Sequence, residues 1–340
     1  MDALPVKEEV DVDFRSRHEG RMHACGHDLH TAMLVGAATV LAARRDALPG
    51  DVVLAFQPGE EEGGGARVMI EEGLLDVAGR RPDAAWALHV VSGMTPRGQV
   101  LSRGGPLMAA SNQLHVTVHG AGGHGSAPHR AKDPIPVAVA MAYGLQTLMT
   151  RTVSAFSPAV LTVGRFTAGT APYIIPDTAS FSATIRCFDE AVLDGLEADT
   201  VRFCRGIADA HGVDVDARFE RHYPVTVNSA TAARLAEQVV VDVLGPERWE
   251  RMDNPTMLSE DFSRILQSVP GAMLLLGASV DGDDWERSAD NHSPYAAFSD
   301  DVLADGAALH AELAVRTLSH RGAAGHRELS PRRPAGGSRA

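Results

Sequence analysis

Cysteine is scarce in this chain: only Cys25, Cys187 and Cys204 occur in 340 residues. Three widely spaced thiols cannot make a disulfide scaffold. They suit a reducing compartment and predict a cytoplasmic protein in which Cys25 is a ligand rather than half of a bridge. Basic residues are also few, 31 Lys and Arg against 44 Asp and Glu, for a net charge of −13. That balance argues against a nucleic-acid partner, which needs a basic patch. No apolar run approaches the roughly 20 residues that cross a bilayer, so no membrane span is expected. The first residues have neither the basic start nor the apolar core of a signal peptide. What remains is an ordinary soluble composition with 44% hydrophobic residues, long enough for two domains.

The densest chemistry lies in Met22-His23-Ala24-Cys25-Gly26-His27-Asp28-Leu29-His30, with one thiol, three imidazoles and a carboxylate in nine residues. Cys25 and His27 are too close for a bridge and well placed for one metal site. Thiolate with imidazole suits zinc, and oxygen ligands elsewhere would extend the choice to manganese or cobalt. Taken alone, such a segment also reads as a His-rich surface turn.

Periodicity sets the frame around it. A helix is predicted after the Cys/His segment, over 30–45, then a buried strand over 51–56, a helix over 66–72 and a strand over 84–90. This alternation indicates a mostly parallel sheet covered by helices. Further along, strand 113–119, helix 134–151, strands 159–166 and 179–188, helix 190–211 and strand 213–221 follow the ferredoxin-like β-α-β-β-α-β order. We place this unit as an insertion at 108–221. The first domain then comprises 1–107 and 222–320, with a strand at 272–278 returning to its sheet and a closing helix at 303–318. Residues 321–340, rich in Arg, Gly, Pro and Ser, are expected to be a disordered tail.

Ligands in open α/β sheets gather beyond the carboxyl ends of the strands. Glu60, Glu61 and Glu62 follow the strand over 51–56, His89 ends the strand over 84–90, and His292 lies in the loop after 272–278. Singly, His89 reads as a near-core histidine and the Glu triplet as a solvated turn. Together with Cys25 and His27 they read as a metal cluster, because such groups converging on one cleft mark function. One of two adjacent acids can ligate a cation while the other accepts a proton.

Met-His-Ala-Cys-Gly-His-Asp, Gln57-Pro-Gly-Glu-Glu61, Ala87-Leu-His-Val90 and Asn291-His-Ser-Pro294 together resemble the M20 metallopeptidase family, in its amidohydrolase branch of hippurate, N-acyl-amino-acid and auxin-conjugate hydrolases. The resemblance runs from residue 1 to about 318. It implies a zinc-peptidase-like α/β catalytic domain, an inserted βαββαβ dimerisation domain forming a homodimer, and two divalent metal ions. By that resemblance Cys25, His27, Glu61, His89 and His292 are ligands, with Cys25 between two ions. Glu60 is the general acid/base, and Asp2 and Asp28 orient ligands. His124, in Gly120-Ala-Gly-Gly-His-Gly-Ser-Ala-Pro128, polarises the scissile carbonyl; as an isolated motif it is a solvated glycine turn. Arg186 is a candidate for the substrate carboxylate, since a guanidinium fork matches it bidentately; a plain surface arginine is the competing reading. Ser259-Glu260-Asp261-Phe262 matches a family segment without an assigned role.

Three departures bear on function. Tyr173 stands where the family commonly has an asparagine near the substrate, and Leu258 replaces a small residue. In the family a sizeable stretch precedes the Asp-Ala-Leu-Pro segment, so the resemblance implies that the first strands and helices of the sheet are missing, which we read as a misplaced start. The implied reaction is metal-dependent hydrolysis of N-acyl or N-aroyl amino acids to a carboxylic acid and an amino acid. A dipeptidase or carboxypeptidase of the same family, or an inactive metal-binding dimerisation protein, are the alternatives.

Overall fold

The structure, a computed structural model, describes residues 2–61 and 63–328. It divides into two compact units, each described by itself. The first comprises Met1–Gly104, Ser229–Met252 and the chain from Val269 onward; the second comprises Gly105–Asn228 and Asp253–Ser268.

The first unit is built on a four-stranded mixed sheet. Its strands are β1 (Ala85–Val91), β2 (Val100–Ser102), β11 (Trp249–Arg251) and β12 (Gly271–Gly277), in the order β1-β12-β2-β11. The β1–β12 and β2–β11 pairs are parallel and β12–β2 is antiparallel. Every residue of β12 is buried. Such a strand, covered on both faces, is read as a continuous apolar run rather than an alternation. Helices α1 (His27–Ala42), α2 (Gly65–Glu71), α5 (Ala230–Leu244) and α7 (Leu303–Glu328) complete the unit. In α1, Leu29, Met33, Ala37 and Leu41 recur every fourth residue and are its buried side chains. Met33 joins Leu88, Val90, Val239, Leu274, Leu276 and Leu309 in the core. Each fully buried aliphatic side chain of this kind contributes about 1.5–3 kcal/mol.

The second unit has the antiparallel sheet β6-β8-β4-β9, made of β4 (Ala110–His119), β6 (Ala159–Ala168), β8 (Thr178–Cys187) and β9 (Asp214–Tyr223). Helices α3 (Pro134–Thr152) and α4 (Glu190–His211) give the chain order β-α-β-β-α-β. Asp133 caps α3 by accepting from the Ile135 N–H, and Asp189 caps α4 from Ala191 and Val192, which fixes both helix starts. Leu114, Val116, Met141, Leu145, Phe181, Ile185 and Leu196 form the core between sheet and helices. Two small pairs, β3 (Gly105–Met108) with β10 (Thr226–Asn228) and β5 (Gly123–His124) with β7 (Ile174–Ile175), and the short helix α6 (Ser263–Leu266) complete the unit.

Four sequence expectations need correction. Residues 51–56 are not a strand; the segment is extended and, among the described residues, 52–56 make no hydrogen bond. Its β-branched and aromatic side chains favour a strand, but a strand needs a neighbour, and none of the described residues pairs with it. Residues 253–268 were expected in the first domain but group with the second unit. The Thr256 N–H donates to Leu107 O (2.9 Å) and the Ala109 N–H to the carbonyls of Thr256 and Leu258, tying the segment to β3 and the start of β4. The insertion also begins at Gly105 and ends at Asn228, so β3 and β10 lie within it. Finally, 321–328 continue helix α7 rather than starting a disordered tail. The rest of that predicted tail, and Glu62, lie outside the described residues.

Candidate metal centre

Cys25 is the hub of a cluster within the first unit. It sits on the turn before α1 and is buried. Gly26 separates it from His27 and takes a left-handed backbone (φ 73°) as the N-cap of α1. A Cβ there would lie 2.3 Å from Val90 Cγ2, so the turn that aims both side chains admits only glycine. His89 enters from β1, two residues before its end, where its partner on β12 is Leu275. His292 enters from the loop beyond β12 with φ 71°, the one positive φ at a non-glycine among the described residues. Its N–H is held by the Ala24 carbonyl at 2.7 Å. A side chain kept in that sparsely populated region marks a constrained site.

The distances are those of a shared coordination sphere. Cys25 Sγ is 3.5 Å from His89 Nε2 and 3.3 Å from His292 Nε2. Glu61 Oε1 is 3.3 Å from His292 Nε2 and 3.8 Å from His27 Nε2. A tetrahedral cation at about 2.3 Å from sulfur and about 2.0 Å from nitrogen would set its S···N edges at about 3.5 Å. Two triads share the sulfur: Cys25 with His27 and His89, and Cys25 with Glu61 and His292, each with its ligand atoms within 4.8 Å of one another. Glu60 joins His27 and Glu61 in a third group of the same span. Glu61 Oε1 is buried and, despite its two imidazole neighbours, meets neither in hydrogen-bond geometry. A buried carboxylate oxygen left so is costly unless a cation takes it. The residues therefore fit divalent metal ions.

The neighbours set the protonation states. His89 Nδ1 donates to Val90 O at 2.7 Å, leaving its Nε2 lone pair toward the sulfur. Asp2 Oδ2 accepts from the Glu61 N–H (3.0 Å) and lies 3.5 Å from His27 Nδ1, so it braces two residues of the cluster. Burial, reinforced by His89, pushes His27 down to about 4, which keeps its imidazole neutral and able to ligate. Burial pushes the Cys25 thiol up, partly offset by hydrogen bonds from His292 and Asn291. The contacts of His292 with Cys25 and Glu61 raise it to about 10. On Glu61, burial acts upward but the close approach and charge of His292 prevail, and its pKa is lowered. Protons thus balance the negative charge that cations balance on binding.

Within the first unit, Asp28 stands apart from this cluster. Asp28 Oδ1 is buried with no hydrogen-bond partner among the described residues, and its carboxylate makes no ligand contact of the kind Asp2 makes. His124, Tyr173, Arg186, Glu260 and Asp261 belong to the second unit. There His124 is exposed and its Nδ1 is 2.9 Å from Ser126 Oγ. Tyr173 is exposed and its carbonyl accepts from the Gly125 N–H. Arg186 donates to Thr184 Oγ1 (2.6 Å) and Ile185 O (3.2 Å), both neutral acceptors. Two contributors carry no role in the sequence reading. His30 is buried between His27 and His89, with ring centroids at 5.2 and 4.6 Å, and its Nε2 accepts the Val90 N–H at 2.8 Å. Asn291 reaches the sulfur through its amide. For His30 the signal was its spacing of one helical turn from His27, and for Asn291 its adjacency to His292.

Comparison with known proteins bears on the family. Thermostable carboxypeptidase 2 of Saccharolobus solfataricus is 37% identical over 319 residues, 93% of this chain and 78% of that protein. Hippurate hydrolase of Campylobacter jejuni is 35% identical over 318 residues, 94% and 80%. A Bacillus subtilis structure described as a dinuclear metal binding peptidase from the M20 family superposes with a TM-score of 0.77 at 29% identity, covering 94% of this chain and 80% of that one. The model of peptidase family M20/M25/M40 matches residues 1–316, and with that the chain belongs to this family.

Proposed function

We propose that this protein is a metal-dependent amidohydrolase that cleaves the amide bond of N-acyl or N-aroyl amino acids, giving a carboxylic acid and an amino acid. The observation that carries the reading is the convergence of Cys25, His27, Glu61, His89 and His292 within the first unit, in two triads sharing one sulfur. Family membership and the relatedness to hippurate hydrolase support the substrate class. We assign the five residues as ligands to two divalent ions of the zinc, manganese and cobalt group. Such ions, when bound, polarise a carbonyl and lower the pKa of water.

The chain's own residues supply the rest. Asp2 holds His27 and the Glu61 backbone in place. The Glu60 carboxylate lies beside His27 and Glu61 and is assigned as general base. It takes the proton of the attacking water as the C–O bond forms, then returns it to the amine nitrogen as the C–N bond breaks. On the second unit, Arg186 and His124 are assigned to substrate on the resemblance. Arg186 is half-buried with only neutral acceptors on its Nη1, which leaves the guanidinium edge suited to a carboxylate. A homodimer through the second unit is part of the same reading.

Relatedness to a carboxypeptidase favours a second reading, in which peptides are cleaved by the same groups. Release of amino acid from benzoyl-glycine and from a dipeptide, each with manganese or zinc added, separates the two. Turnover of benzoyl-glycine alone supports the first. No turnover of either substrate with either metal sinks both.

A further inference from the structure

The ligands of the cluster are explained by the family; the side chain that joins three of their supports is not. Asn291 Nδ2 donates to Cys25 Sγ at 3.5 Å and to Val90 O at 3.1 Å. Its Oδ1 accepts the Ser92 N–H at 3.0 Å and lies 3.0 Å from Ser92 Oγ. The Ser92 hydroxyl has one proton, and Ala289 O at 2.7 Å also claims it, but the Ser92 N–H has no alternative partner among the described residues. The amide therefore has one orientation. Turned over, it would set two donors against the Ser92 N–H and an oxygen against both the sulfur and the Val90 carbonyl.

Each contact bears on a ligand. Val90 O also receives the His89 Nδ1 proton, so Asn291 and His89 meet on one carbonyl. The Val90 N–H is gripped by His30, so Val90 is held on both its N–H and its carbonyl. The next residue, His292, is pinned through its N–H to Ala24, beside Cys25. Resting on the metal-centre reading above, we propose that Asn291 is a positioning residue that holds the Cys25 sulfur by an N–H···S bond and registers it against His89 and His292. Its effect is on the donor strength and place of the sulfur. An N–H···S bond stabilises the sulfur lone pairs and so raises the energy of thiolate-to-metal charge transfer.

Cobalt(II) added to the metal-free full chain is the probe. The wild type is expected to show a near-ultraviolet sulfur-to-cobalt band. Asn291→Ala and Asn291→Asp both remove the donor, and the second keeps the size and the acceptor for Ser92. In both, the band is expected to move to longer wavelength. Cobalt affinity of Asn291→Ala is expected to fall about tenfold, the lower end for loss of a ligand-supporting hydrogen bond. The metal-free variants should melt as the wild type does. A band unmoved in either variant overturns the proposal, and so does collapse of the metal-free variants, because the residue then supports the loop and not the sulfur. Absence of the band in the wild type is a different failure: it removes the metal-centre reading itself.

Discussion

Gly65 offers a sharp test of how the loop bearing Glu60 and Glu61 is held. It is the first residue of α2, and a Cβ added to it would lie 1.7 Å from Pro58 O and 2.9 Å from Pro58 C. Real Cβ atoms keep at least 3.0 Å, so in Gly65→Ala the carbonyl must retreat by about 1.3 Å. Backbone cannot swing aside like a side-chain tip, and Pro58 is only three residues from Glu61. Metal–ligand distances tolerate about 0.2 Å. A shift several times larger takes Glu61 out of coordination, and we expect metal affinity to fall 10- to 100-fold, about 1.4–2.7 kcal/mol. Gly64 is the control. It is left-handed (φ 60°) but has nothing within 4 Å of an added Cβ. Gly64→Ala should cost only the backbone strain, about 1–2 kcal/mol, and leave metal affinity unchanged. Calorimetric titration of both metal-free variants with manganese and zinc, beside their melting temperatures, reads the two effects separately. Wild-type affinity in Gly65→Ala would refute the steric argument.

Three further outcomes are expected. Glu60→Gln should lower kcat on benzoyl-glycine by about 10²–10⁴ while the metal content stays at the wild-type level; loss of metal in parallel would show that Glu60 ligates. Leu275→Ala, at a fully buried position of β12, should destabilise the protein by about 2–5 kcal/mol in urea titration, and a change below 1 kcal/mol would place the core elsewhere. Burial pushes His310 down to about 4. It stays neutral in the folded chain while the unfolded chain takes up a proton below about 6.5, so this group costs no stability above that pH. Between about pH 6.5 and pH 4 it removes stability, at most about 3 kcal/mol. His310→Gln should flatten that part of the stability-against-pH curve, and an unaltered slope would exclude His310 as a cause.

Much of the site was legible because its chemistry is local in the chain. Cys25 and His27 announce themselves two residues apart, and the turn between them is dictated by Gly26. His89 and His292 needed the parallel pairing of β1 and β12 to be brought together, and the apolar runs around 84–90 and 272–278 carried that information. The βαββαβ order of the second unit was legible from alternation, because its sheet buries one face against helices and its helix caps are explicit aspartates. What failed was non-local. Whether residues 51–56 pair, and which unit claims 253–268, are decided by backbone partners far away in sequence. Helix α7 outruns its apolar periodicity because a helix already nucleated extends at little cost. The roles of His30 and Asn291 rest on one carbonyl and one amide of Val90, and no side-chain pattern encodes a peptide group.

The segment over 52–56 carries a practical implication. Val53, Leu54 and Phe56 turn more than a third of their surface outward on a backbone whose amides and carbonyls are unclaimed among the described residues. Such a ribbon is a template for any extended chain that comes alongside. Storage at high concentration will favour sticking between molecules through this ribbon, and a lysine in place of Leu54 should keep the solution clear without touching the Cys25 cluster.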